Sequence, residues 1–264
     1  MSARPALQHH SAAVWPSAAR RMPARHASSL NRILAGLPRE DSERLLPYLE
    51  PMTLSKGSLL HAAGVPVSCL YFPTSGLVSR VHVTHEGASA ELAITGLDGV
   101  IGVASFLGGQ SMPSHALVLS AGHAYRLAAN VVAAEFRRGS PLARLLLRYV
   151  QALMAQIGQA AACNRHHSLE QRLCRWLLSC VDRMASDELV ATQDLIARLL
   201  GVRRQGVTHA MAALQDAGAI RRRRGRITVL DRSLLEARAC ECYAVVKREY
   251  DRLLPERERP EVAR

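Results

Sequence analysis

Between Thr192 and Val229 the spacing of apolar residues changes character twice. Leu195, Ile196, Leu199 and Leu200 fall on one face of a short helix. Thr192 stands where an N-cap belongs, and Gly201 stands where the helix must stop and turn. Val207, Met211 and Leu214 mark the inner face of a second helix that follows within about three residues, a helix-turn-helix arrangement. Gly218 closes that helix. Ile220 to Leu230 then reads as two short β-prone runs split by Arg223, Arg224 and Gly225, a hairpin or wing.

Upstream the pattern differs. Leu30, Ile33, Leu34 and Leu37 predict a short helix, and Asp41 to Leu49 another that ends near Pro51. From Met52 to about Leu127, short apolar runs recur at Ser58–His61, Cys69–Phe72, Leu77–Val83, Ala90–Ile94, His115–Leu119 and His123–Leu127, separated by turn residues. Runs of that length and spacing predict an antiparallel sandwich or barrel. Helix returns at Ala128–Arg138. A longer helix opens at Ser140-Pro141, where Leu142, Leu146, Tyr149, Leu153, Ile157 and Ala160 form a heptad-like seam. The seam is expected to combine packing on its own domain with a two-fold dimer contact. His167–Met184 is a further helix, with Ser168 and Gln171 as a capping box. Asp231–Leu254 reads as one terminal helix, with Ser233 and Glu236 as a second capping box. Residues 1–28 contain no acid and show no apolar period, which favours disorder over a transit peptide.

Charge sharpens this outline. The 264 residues carry a formal net charge of +12, and the stretch 190–226 holds eight arginines against two acids, Asp194 and Asp216. A helical hairpin and wing with that balance is built to lie on a polyanion, double-stranded DNA first of all. The length favours two domains, and a hydrophobic fraction of 48% supports packed cores. No run approaches the roughly 20 apolar residues of a membrane span, and no secretory signal is visible, so no membrane partner is expected. Six scattered cysteines make no disulfide framework, and a reducing cytoplasm is the expected setting.

The stretch ATQDLIARLLGVRRQGVTHAMAALQDAGAIRRRRGRITVLD, with HSLEQRLCRWLL before it, resembles the Crp/Fnr transcription regulators. GLDGVIGVASFLGG is similar to that family's phosphate-cassette region, and RGRITVLDRSLLEARACECY to one branch of it. The resemblance implies an α+β chain. Residues 29–138 would be a cyclic-nucleotide-binding-like antiparallel β-roll sensor, 139–166 a dimerisation helix, 167–254 a winged helix-turn-helix domain with a C-terminal helix, and 255–264 a frayed tail.

It also implies that Arg203, Arg204, Gln205, Thr208 and His209 open the recognition helix and face the major groove. Arg204 can donate bidentately to guanine, and Gln205 can pair with adenine. The family's glutamate and final arginine positions hold Gln205 and His209, so a different half-site is expected. Thr192 and Gln193 complete the DNA-binding set with Arg221, Arg222, Arg223, Arg224 and Arg226, whose number suits phosphate contacts rather than base reading. Gly206 weakens the recognition helix and reads as tolerated drift or as room for close backbone approach to DNA.

The sensor offers a faint pocket at Gly102, Val103, Ser114 and His115. Cyclic AMP is not expected there, because Val103 and the Ser114-His115 pair stand where the family places its charged ligands. An iron–sulfur centre needs about four thiolates, and none of the cysteines precedes Cys69. His61, His82, His85, His115 and His123 include no residue marked out as a haem ligand. Cys163 with His166, and Cys240 with Cys242, are close enough in the sequence to suggest a metal, but the cysteines read as buried, chemically idle thiols, so no metal and no cofactor are expected. No catalytic motif is present, and no enzymatic activity is expected. The expected function is a dimeric, sequence-specific regulator whose partners are double-stranded DNA, a second copy, an unknown small-molecule effector and RNA polymerase. The alternative is a sensor or scaffold module of weak DNA affinity that works through a protein partner.

Overall fold

The computed structural model describes residues 30–184 and 186–255. The expectations for residues 1–28 and for the tail beyond Pro255 lie outside them. Two short helices, α1 (Arg32–Ala35) and α2 (Arg39–Leu45), precede the sheets. Asn31 caps α1 by accepting from the Ile33 and Leu34 amides, and its Nδ2 donates to the carbonyls of Pro73 and Gly99. The second helix ends before Leu46-Pro47 and tightens into a 3-10 turn over Leu46–Tyr48, shorter than the apolar pattern suggested. Proline lacks the N–H that would continue the ladder.

The roll consists of β1 (Glu50–Leu54), β2 (Leu59–His61), β3 (Cys69–Pro73), β4 (Leu77–Val83), β5 (Ser89–Thr95), β6 (His115–Ser120) and β7 (Gly122–Ala128). They form two antiparallel sheets of order β1-β7-β3 and β2-β6-β4-β5. Six of the strands match the predicted runs; β1, with mostly exposed or half-buried residues and a proline, carried no apolar signal.

Next come α3 (Ala129–Arg137), α4 (Pro141–His166) and α5 (Leu169–Asp182). Ser140 caps α4 with proline in the first turn, and Ser168 and Gln171 form the expected capping box on α5. The seam of α4 needs correction. Leu142, Leu146, Tyr149 and Leu153 are buried within the chain itself, against α1, α2, the roll and the C-terminal helix, and Ala160 is buried too, so they are not available to a second copy. Ile157 is half-buried at the margin of the same core.

The remainder is β8 (Glu188–Val190), α6 (Gln193–Leu200), α7 (Arg204–Asp216), β9 (Ile220–Arg223), β10 (Arg226–Val229), α8 (Arg232–Arg238) and α9 (Cys242–Leu253). The single terminal helix expected over Asp231–Leu254 is therefore two. Asp231, not Ser233, caps α8 by accepting from the Leu234 amide, and the chain turns extended at Ala239. The break lets Cys240 and Cys242 both turn inward, to 4% and 2% exposure. From there α9 runs back along α4, where Val246, Tyr250 and Leu253 join the core that α4 shares with the roll. Conversely Leu77, Val81, Ile94 and Leu119 of the roll share a core with Trp176, Leu177 and Leu199.

Candidate nucleic-acid interface

Helix α6 begins at Thr192, whose Oγ1 accepts from the Leu195 amide at 3.2 Å, and stops at Gly201 in the left-handed region (φ 64°). That reversal places α7 across α6 with Val207, Met211 and Leu214 fully buried beneath it. The opposite face carries Arg203, Arg204, Gln205 and His209, all exposed. Thr208 is half-buried. Its hydroxyl donates to Gln193 Oε1 at 2.8 Å, with the Arg204 carbonyl 3.1 Å away. Gln193 and Thr208 thus tie the two helices together.

Gly206 lies against a neighbouring helix. A Cβ there would come within 2.8 Å of Leu169 Cδ2, so the glycine lets α7 lie close on the start of α5.

The wing is a three-stranded sheet of order β8-β10-β9. Its tip is the two-residue turn Arg224-Gly225, both with positive φ (46° and 77°), as a primed hairpin turn requires. Its arginines divide. Arg222 donates from N and Nε to Gln215 Oε1, and Arg226 pairs with Glu188. Arg221, Arg223 and Arg224 are exposed and have no ion-pair partner among the described residues. Between the wing, the start of α6 and α7 lies an open groove of ≈ 690 Å³. Thr192, Gln193, Arg204 and Arg222 to Arg226 line it, with Asp194 as its one acid. A concave face this dense in guanidinium groups attracts a polyanion and can grip phosphate bidentately.

Two family models cover more than half of the chain. Residues 171–238 match the Crp-like helix-turn-helix domain and residues 51–138 the cyclic nucleotide-binding domain. The chain belongs to the Crp/Fnr family of transcription regulators. Among solved structures it is similar to a putative Crp/Fnr regulator from Eubacterium rectale, with 18% identity, TM-score 0.61, and coverage of 80% of this chain and 98% of the other. It is similar also to FixK2 from Bradyrhizobium japonicum, at 15%, 0.63, 73% and 98%, and to the c-di-GMP responsive regulator CLP of Xanthomonas campestris, at 17%, 0.58, 74% and 100%. No curated protein sequence matches it. No helix among the described residues is long and apolar enough to cross a membrane.

In the cyclic nucleotide-binding domain of this Crp/Fnr chain, Gly102 has φ 102°, and a Cβ there would lie 2.4 Å from the Cys69 carbonyl. Val103 is buried in the core. Ser114 is buried with no partner for its hydroxyl, while His115 Nδ1 accepts from the Ala63 amide at 3.2 Å. No hydrogen bond among the described residues joins the Gly102-Val103 pair to the Ser114-His115 pair.

The structure draws attention to a residue the sequence reading passed over. Arg80, in the middle of β4, is 7% exposed, and its Nη1 has no partner among the described residues. Nearby His61 is equally buried with both ring nitrogens unpartnered, and burial, then Arg80, pushes its pKa down to about 4. The interior of the roll therefore carries a fixed positive charge. The signal was present in the sequence: Ser79-Arg80 interrupts an apolar strand.

Asp98, inside the cassette-like stretch, does not face a ligand. It pairs with buried Arg183 at the end of α5, Oδ2 to Nε 2.8 Å, an ionic contact without hydrogen-bond alignment. Arg183 also lies 4.9 Å over the ring of Tyr250.

Proposed function

We infer that the chain binds a specific DNA site as a symmetric dimer and regulates transcription by that binding, not by catalysis. The convergence of Thr192, Arg204 and the wing arginines on one open groove carries this reading. Helix α7 would lie in the major groove with Arg204 donating to guanine and Gln205 to adenine, while Arg221, Arg223 and Arg224 meet phosphates along the wing. Gln193 and Thr208 would hold α7 at its angle rather than read bases.

The dimer is assigned to the outer face of α4. Leu147 and Met154 are 52% and 68% exposed, and Val150, Ile157 and Ala161 continue the a/d spacing of a heptad. A second copy packed on this stripe would present two recognition helices to half-sites roughly 34–36 Å apart.

The decisive experiment is selection of bound sequences from a random DNA pool with the purified chain, followed by footprinting. A palindrome with that spacing is expected. Arg204→Ala should cost about 1–3 kcal/mol and relax preference at one base position per half-site. Equal losses on the selected site and on random DNA would remove the base-reading role, and the absence of any footprint would favour the scaffold reading instead.

A further inference from the structure

Away from the DNA-facing side, the end of α4 and the corner between α8 and α9 meet in a cluster that DNA binding does not use. Cys163 lies in the last turn of α4, and His167 ends that helix four residues on, one helical turn away. Cys240 and Cys242 come from the corner. Cys163 Sγ and Cys240 Sγ are 3.5 Å apart, as are Cys242 Sγ and His167 Nδ1. One ligand atom from each of the four residues fits within 4.8 Å of all the others. All the cysteines are free thiols, and these three are buried.

We propose that Cys163, His167, Cys240 and Cys242 form a tetrahedral Cys3His site for one zinc ion. A tetrahedron with metal–sulfur bonds of about 2.3 Å has edges near 3.8 Å, the scale of the separations seen here. Ligand atoms this close enclose a single ion rather than an iron–sulfur cluster. The soft, thiolate-rich donor set selects zinc over hard cations, and four protein ligands leave no open position, as in a structural site.

The surroundings fit as well. His167 Nε2 lies 3.2 Å from Glu241 Oε1, so a carboxylate orients the imidazole from its far nitrogen and leaves Nδ1 to the metal. The sequence pairing of Cys163 with His166 fails because His166 is exposed, and the residue one turn from the thiol is His167. Loading one Zn²⁺ displaces three thiol protons and leaves one negative charge on the site. Buried Arg172, close enough to Cys163 to feel its charge and with an unpartnered Nε, offsets that charge. The ion would staple the last turn of α4, which leads from the sensor to the DNA-reading domain, to the helix that packs back along α4.

The test uses untagged full-length chain purified under reducing conditions. About one zinc per chain by elemental analysis is expected, and exchange for Co²⁺ should give the strong visible bands of a tetrahedral thiolate-rich site. His167→Cys should keep the metal and shift the bands toward those of a four-sulfur site, a change that a merely structural role would not produce. Glu241→Ala, at a mostly exposed position, should weaken metal binding by about tenfold. Metal far below one equivalent with no Co²⁺ bands overturns the proposal. So do bands that ignore His167→Cys, or a Cys163–Cys240 disulfide in place of bound metal. Cys242→Ser is expected to lose the ion; if that variant does not fold, the His167→Cys spectrum decides.

Discussion

Glu91 sits where the β-roll meets the helix-turn-helix domain. Its carboxylate accepts from Ser79 Oγ at 2.6 Å and from Trp176 Nε1 at 2.9 Å, so a β5 side chain holds the first helix of the other domain. Burial pushes its pKa up to about 7, only partly countered by Ser79, Arg175 and Trp176. The folded chain therefore keeps a proton that the unfolded chain releases near 4.5. Stability from this group is present below that value and is lost as pH rises towards 7. At about 1.4 kcal/mol per unit, the loss is at most about 3 kcal/mol. Glu91→Gln keeps both contacts, since the Ser79 hydroxyl can turn to accept from the amide. Denaturant melts between pH 4.5 and 7 should show the slope shrinking in the variant; an unchanged slope would assign it elsewhere. Gly206 is a second case at this scale. Its meaning depends on a neighbour, Leu169, that lies in another helix.

Among the elements, α4 shows most clearly how one helix can serve two partners. Its seam of Leu142, Leu146, Tyr149 and Leu153 is consumed by its own domain, while Leu147 and Met154 look outward. Both stripes have heptad spacing, so periodicity could not say which face meets solvent. Since Met154 is mostly exposed in the single chain, Met154→Glu should leave the fold of the protomer, read by circular dichroism, unchanged. If the outer stripe is the dimer contact, light scattering should report a monomer and affinity for a palindromic site should fall by more than tenfold. A dimer that survives both Met154→Glu and Leu147→Glu would place the two-fold elsewhere. The wing is a contrasting element: its turn was readable from Arg224-Gly225, but the division between tethered Arg222 and Arg226 and unpaired Arg221, Arg223 and Arg224 was not.

At the scale of the whole molecule, the two domains are joined by a shared core and by buried polar contacts. Asp98 pairs with Arg183, the Leu97 amide donates to the Arg183 carbonyl at 3.1 Å, and Tyr250 Oη donates to Gln156 Oε1 at 2.8 Å. Gln156 in turn donates to the Ile94 carbonyl at 3.2 Å. The Arg183 guanidinium depends on Asp98, because removing one partner leaves a buried charge uncompensated. Asp98→Asn should cost about 3–5 kcal/mol in unfolding free energy. Replacing Asp98 and Arg183 together with apolar residues of similar size should recover much of that loss. If the single change proves neutral, the pair is not what joins the cassette stretch to α5.

The sequence by itself determined the local elements and their chemistry. Apolar period and turn residues marked six of the roll strands, the helix-turn-helix and the wing, because those signals act over a few neighbours. Arg204 and the wing arginines were legible for the same reason, since an exposed basic run needs no distant partner to define it. Contacts between remote segments were decided only by the tertiary structure. Periodicity says that a face is apolar but not what covers it, which is why the sequence alone assigns the buried seam of α4 both to its own domain and to a dimer contact. Cys163 and Cys240 are separated by 77 positions yet come within 3.5 Å. No spacing motif announces a cluster whose ligands are brought together by the break between α8 and α9.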